Sequence, residues 1–289
     1  MRRSRKYFYD GDQIYDSDRS TDAESLAELI LNDPHLPETT DIVVGCWGES
    51  YDNDAQAILD SFVENKEKFQ HIESLFIGDM DQEECEVSWI EQGDYSELWK
   101  ALPKLKRLTI KGCNEGLQLG EIVHDRLEGF EIICGGLRSE VIGQIAKAKL
   151  PKLRYLNLYF GVEDYGFDGD IEDIKDLLKA DFIKHVEYLG LGNSEIQDEI
   201  VEEFFKLGSL FNIKVLDLSN GTLTDKGGQI LLDHAEMLKK LDKLDLTYHF
   251  LSDEMMEKLK KSGINVLLDD QQEPDEYDGE VWVYPMLTE

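Results

Sequence analysis

Six stretches of the chain repeat one arrangement of apolar and polar positions: LKRLTIKGC from Leu105, LEGFEIICG from Leu127, LRYLNLYFG from Leu153, VEYLGLGNS from Val186, IKVLDLSNG from Ile213 and LDKLDLTYH from Leu241. Each has an aliphatic or aromatic residue at its first, fourth and sixth positions. Weaker copies begin at Asp41 (DIVVGCWGE) and Ile72 (IESLFIGDM), and INVLLD from Ile264 reads as a closing strand. The nine anchors lie 22 to 33 residues apart. Alternation over so few residues is the signature of a short strand, with positions four and six pointing into a core and three, five and seven pointing out. One such unit cannot bury its apolar side alone. Stacking buries it, which makes the strands parallel and requires a crossover of about a dozen residues or more between them.

The intervening segments change to the helical period. Ile230, Leu231, Ala235 and Leu238 fall along one stripe, with Thr224 or Asp225 as the cap. Ile200, Val201, Phe204 and Leu207 share another, as do Ile171, Ile174 and Leu178, and Met255, Met256 and Leu259 after Ser252. These Met and Phe residues read as core. Residues 1–40 predict a polar segment and one amphipathic helix over residues 22–31, stopped by Pro34 and Pro37, as an N-terminal cap. Residues 41–268 carry the repeats. Residues 269–289 hold eight acids and no Lys or Arg, interrupted by VWVYPML. The acids predict a solvated tail, and the apolar run predicts that residues 281–284 dock on the last repeat.

The fold class expected is therefore α/β: a leucine-rich-repeat solenoid with a curved parallel sheet on the concave side and helices on the convex side. LTDKGGQILL and LSDEMMEKLK, each following an L-D-L strand, resemble the ribonuclease-inhibitor-like class of these repeats over residues 41–268. More narrowly, VVGCWGESYD, FIGDMDQEECEVSWIEQGDYS, EDYGFDGDIEDI, YLGLGNSEIQDEI and LDLSNGTLTDKG resemble an uncharacterised family of bacterial cytoplasmic leucine-rich-repeat proteins. That resemblance implies an architecture and no particular activity. The sequence departs from the usual repeat at position nine, where Asn or Cys bonds to turn backbone. Only Cys113 fits; the others are Gly135, Gly161, Ser194, Gly221 and His249. Without an asparagine ladder, the turn backbone must find other partners.

Charge narrows the function classes. Across 289 residues, 62 acids stand against 30 Lys and Arg, a formal net charge of −32. Such a field repels phosphate backbones and anionic lipid and attracts a basic partner, or it serves solubility as solvated helix faces. The four cysteines form no CxxC pair and sit near apolar runs, as reduced core thiols do. No run of 18 apolar residues occurs, so a cytoplasmic protein is expected.

Outward positions three, five and seven supply the candidate partner-binding residues Trp47, Phe76, Tyr155, Asn157, Tyr159, Tyr188 and Asp217. Aromatics on a wetted sheet are what a protein-binding anchor set looks like. The alternative is that a capping segment covers Trp47 and Phe76, and long loops the tyrosines. Two over-long repeats predict projecting loops: residues 79–94, with Trp89, and residues 160–170, with Tyr165. Their acids, among them Asp79, Glu84, Glu86, Asp164 and Asp168, lack EF-hand spacing, and no metal or other cofactor is expected. HExxH, GxSxG and GxxxxGK[ST] are absent, and GLGNSE from Gly190 reads as a repeat turn rather than GxGxxG. The expectation is a non-enzymatic interaction scaffold for a protein partner, neither nucleic acid nor membrane. The alternative is a metal-dependent or hydrolytic accessory protein with its site in the acidic loops.

Overall fold

A computed structural model describes residues 3–14, 21–113, 116–277 and 280–288. Ten strands form a parallel sheet in chain order: β1 (Ser4–Tyr7), β2 (Asp41–Val44), β3 (Ser74–Ile77), β4 (Arg107–Lys111), β5 (Gly129–Ile133), β6 (Tyr155–Gly161), β7 (Tyr188–Ser194), β8 (Val215–Asp217), β9 (Lys243–Asp245) and β10 (Val266–Leu267). Positions four and six point inward as the alternation requires: Leu75 and Ile77, Leu108 and Ile110, Leu156 and Leu158, and Leu189 and Leu191 are all buried.

The pairing corrects the reading frame at both ends. Asp41 pairs with Ser74, which pairs with Arg107, so Asp41 occupies position three and the repeat starts at Thr39. Trp47 thereby moves from an outward seventh position to the ninth, alongside Met80 and Cys113, and it is 0 % exposed. Val266 pairs with Leu244, which sets the last repeat one residue earlier than Ile264. The sheet also begins sooner than the sequence implied. Residues 4–7, read as polar segment, pair with β2 from Ser4↔Asp41 to Tyr7↔Val44, because Tyr7 is apolar enough to reach the core and its hydroxyl donates to Asp33 at 2.8 Å.

Seven helices of eight or more residues occur among the described residues: α1 (Ala23–Asn32), α2 (Gln56–Glu64), α3 (Ser139–Ala146), α4 (Ile171–Leu178), α5 (Gln197–Phe205), α6 (Asp225–Asp233) and α7 (Asp253–Lys261). Capping decides where they start. Asp22 accepts from the Ser25 amide at α1, Asp170 forms a reciprocal capping box with Asp173 at α4, Thr224 caps α6 and Ser252 caps α7. The stripe expected through Ala235 and Leu238 is broken. α6 ends at Asp233, with His234 as its C-cap, and a separate turn Ala235–Leu238 carries the buried Leu238.

The chain divides into two compact units, one of Met1–Cys134 and Lys147–Leu153, the other of Gly135–Ala146 and Arg154–Thr288. The first contains β1 to β5 with α1 packed beside α2. In the second, with β6 to β10, the helices α3, α4, α5 and α6 pack in sequence, and α7 packs on α6. Carboxylates lace successive helix starts there. Asp198 accepts from the Thr224 hydroxyl (2.6 Å) and the amides of Thr224 and Gly227, and Asp225 accepts from the Ser252 amide and hydroxyl, both at 2.7 Å.

Buried amides and hydroxyls elsewhere in the repeats replace the asparagine ladder. Gln92 Nε2 donates to the Lys111 carbonyl and Gln197 Nε2 to that of Leu191, each at 2.9 Å, while the Thr222 hydroxyl contacts the carbonyls of Ser194 and Glu195. Two position-nine side chains contribute as well: Ser194 Oγ accepts from the Ile196 amide and His249 Nδ1 from the Leu251 amide, each at 3.2 Å.

Candidate interaction surface

The second unit gathers most of the outward candidates into one patch. Register sets Tyr155 beside Tyr188 and Val215 at position three, and Asn157 beside Gly190 and Asp217 at position five. The two tyrosine rings stack, with centroids 4.4 Å apart and planes inclined by 25°. The Tyr188 hydroxyl donates to Asp217 Oδ2, while Asp217 Oδ1 accepts from the Ser219 amide at 2.9 Å. Burial, and then the adjacent Asp217 carboxylate, raise the Tyr188 phenol above its ordinary pKa, so it stays a protonated donor. Gly190 makes the arrangement possible: a β-carbon there would collide with the Asn157 side-chain carbonyl.

Tyr155, Tyr159 and Tyr188 remain half-buried, whereas Asn157 and Asp217 are buried beneath them. Asp217 therefore supports Tyr188, and neither polar residue offers contact surface. This corrects their expected role, since a buried amide or carboxylate is committed to internal partners.

The C-terminal segment lies against the same unit. β11 (Asp275–Tyr277) and β12 (Glu280–Trp282) make an antiparallel hairpin. Beyond it the chain is tied to the eighth residue of three successive repeats, each in the left-handed region: Asn193 (φ 49°), Asn220 (φ 64°) and Tyr248 (φ 62°). Asn193 clamps Leu287 twice, donating to its carbonyl at 2.7 Å and accepting from its amide at 2.8 Å. The Met286 amide donates to the Asn220 carbonyl at 2.9 Å, and the Tyr248 hydroxyl donates to the Tyr284 carbonyl at 3.1 Å. Asn220 Nδ2 also reaches the Tyr159 hydroxyl at 3.4 Å. The docked stretch is thus residues 284–287 across three repeats, not residues 281–284 on the last one, because the polar turn groups that can hold a backbone sit at position eight. Asp278 and Glu289, counted among the tail acids, lie outside the described residues, as do the side chains of Glu280 and Val281.

In the first unit Phe76 is half-buried, and Trp47 is removed from the list altogether. Its ring lies in the core and its Nε1 donates to the Asn53 carbonyl at 2.8 Å. Trp89, in the 3-10 turn Val87–Trp89, is 51 % exposed. It lines an open depression of about 240 Å³ with Tyr51, Cys85 and Glu86. Sequence reading missed Tyr51, whose only signal was a turn-forming Gly48-Glu49 before it. The Cys85 thiol is pushed up to about 12 by burial, with Cys46 and Glu86 adding to the effect, so it is a protonated, unreactive floor.

Tyr165, at the end of the 3-10 turn Glu163–Tyr165 in the other long loop, is half-buried. Several acids of the two loops serve local structure. Asp79 pairs with Lys6 at 3.0 Å, and Asp81 Oδ1 accepts from the amides of Glu83 and Glu84. The Ser139 amide donates to Asp168 at 2.6 Å and is the main cause of its carboxyl lying below the usual carboxylate range. Among the described residues, no group of three or more His, Cys, Asp or Glu is placed to hold a metal, and no helix is long and apolar enough to cross a membrane.

Comparison places this geometry in a lineage. A crystal structure of a protein from Bacteroides fragilis is similar at 41 % identity and a TM-score of 0.83, covering 93 % of this chain and 75 % of that one. This chain belongs to the same family as that bacterial protein. An internalin from Listeria monocytogenes aligns at 15 % identity with a TM-score of 0.40, over 85 % of this chain and 70 % of that one, too distant to bear on function. No protein-family model matches the chain, and no curated protein does.

Proposed function

We propose that the chain is a leucine-rich-repeat solenoid of the ribonuclease-inhibitor-like type, acting in the cytoplasm as a non-catalytic scaffold for a basic protein partner. The observation that carries the reading is the stacked Tyr155–Tyr188 pair, half-exposed on the outward side of the sheet with the Tyr188 hydroxyl locked on Asp217. Large rings held in one orientation bind at low entropic cost, and tyrosine is enriched among the residues that dominate interfaces. The net charge of −32 favours a basic partner, and four buried cysteines suit a reducing compartment.

The test is capture from a lysate of a bacterium that carries the protein, with wild type compared to Tyr155→Ala/Tyr188→Ala after matched thermal melts. A basic protein retained by wild type and lost from the double variant is the expected result. Equal retention by both, or no partner at low salt, rejects the reading.

A further inference from the structure

The depression around Trp89 is a built feature rather than an accident of two mobile loops. Trp47 anchors the turn carrying Tyr51 from below through the Asn53 carbonyl, and Asn53 Nδ2 closes the turn on the Gly48 carbonyl at 3.3 Å. That turn contains Gly48 (φ 85°) and Glu49 (φ 42°), the latter a left-handed residue that the surrounding bonds must hold in place. The Glu91 amide then donates to the Ser50 carbonyl at 2.9 Å, tying the Trp89 loop to the Tyr51 turn. Val87 and Ile90, buried on either side of Trp89, fix the 3-10 turn to the core. Tyr51 at 49 % exposed and Trp89 at 51 % are therefore held out to solvent by hydrogen-bonded backbone.

Two exposed rings, an apolar floor at Cys85 and a carboxylate edge at Glu86 match a side chain that is flat, greasy along its stem and cationic at its tip. We propose that this depression is a receptor for an arginine side chain of the basic partner. The guanidinium stacks on Trp89 and Tyr51 while Glu86 accepts its hydrogen bonds. Arginine is favoured over lysine because its planar group stacks on a ring and pairs with a carboxylate at once. Charge agrees: Glu49, Asp52, Asp54 and Glu83 are exposed on the same two loops. The cation nearby, Lys111, is tied by its Nζ to the Met80 carbonyl.

The inference rests on the partner being basic, yet its test needs no partner. With 5-fluorotryptophan incorporated, the full chain gives four fluorine resonances, and Trp89→Phe assigns one of them. N-acetyl-arginine methylamide is titrated in, with the uncharged citrulline analogue as control. A saturable shift of the Trp89 resonance with the arginine probe and none with citrulline is expected. The apparent affinity should fall about tenfold in Tyr51→Ala and severalfold in Glu86→Gln. Equal response to citrulline, an unchanged affinity in Glu86→Gln, or no shift at tens of millimolar overturns the assignment. So does tighter binding of tetramethylammonium than of the arginine probe, which would mark a free quaternary amine as the ligand. The tyrosine-patch reading fails independently, through partner capture that ignores Tyr155→Ala/Tyr188→Ala.

Discussion

Single side chains here act through where their repeat places them. Trp47 stands at the ninth position, fully buried, with its indole N–H bonded, so Trp47→Ala leaves a cavity and an unpaired Asn53 carbonyl. The variant should lose about 3–5 kcal/mol of stability in urea unfolding, as large-to-small core substitutions of this size do. A loss below about 1 kcal/mol would mean that the ring is not packed as described. His124 offers a pH readout. It is buried, with Nε2 against the Leu102 carbonyl at 3.1 Å and Nδ1 accepting from the Arg126 amide at 3.3 Å, which defines a neutral ring. Burial holds its pKa below the unfolded value of 6.5, so the unfolded chain takes up a proton first. The stability this residue contributes is full above that value and is lost as pH falls through the folded-state pKa. His124→Gln should therefore flatten the acid-side decline of the urea midpoint, and an unchanged slope would assign that decline to other groups.

At the scale of elements, local chemistry and long-range pairing divide the labour. Thr224, one of the two residues expected to do so, caps its helix and Ser252 caps the next, and the carboxylates of Asp198 and Asp225 then bind those caps across the repeat boundary. The first fact is written in a few adjacent residues. The second depends on the register of stacking, which no local window contains. The C-terminal segment shows the same division. Its apolar run announces docking, but the clamp is Asn193, some ninety residues earlier, freed for the task by its left-handed backbone. Asn193→Gly, which keeps the left-handed backbone, removes both hydrogen bonds to Leu287. Amide exchange at Met286 and Leu287 should then rise by about tenfold or more while the global urea midpoint barely moves, since these bonds hold a terminus and not the core. A large fall in the midpoint would instead make the segment part of the cooperative unit.

For the whole molecule the controlling quantity is charge. The 30 Lys and Arg cannot pair all 62 acids, and most of the ion pairs that form are exposed, such as Lys184 with Asp181 and Lys258 with Glu254. Exposed pairs of this kind contribute little each. The excess of negative charge then works against compaction at low ionic strength. Raising sodium chloride from about 10 mM to about 200 mM shortens the Debye length from roughly 30 Å to below 10 Å and should raise the melting temperature by several degrees. The same salt should weaken capture of a basic partner, giving stability and binding opposite salt dependences. A melting temperature that falls with salt would show that favourable pairs outweigh the net repulsion.

The inward pattern of the strands, most of the helical stripes and the parallel arrangement were legible in the amino-acid order alone, because each rests on short-range periodicity and on the need of every repeat to bury its apolar side. That order also marked Tyr155, Tyr159 and Tyr188 as outward. Frame and depth came from long-range packing. A two-residue shift in β2, invisible until Asp41 is seen opposite Ser74, carried Trp47 from surface to core. Lateral neighbours buried Asn157 and Asp217, and a backbone bond between Glu91 and Ser50 brought Tyr51 and Trp89 to one depression. Alternation fixes the side of a sheet on which a residue lies; what covers it there is set by segments distant in the chain.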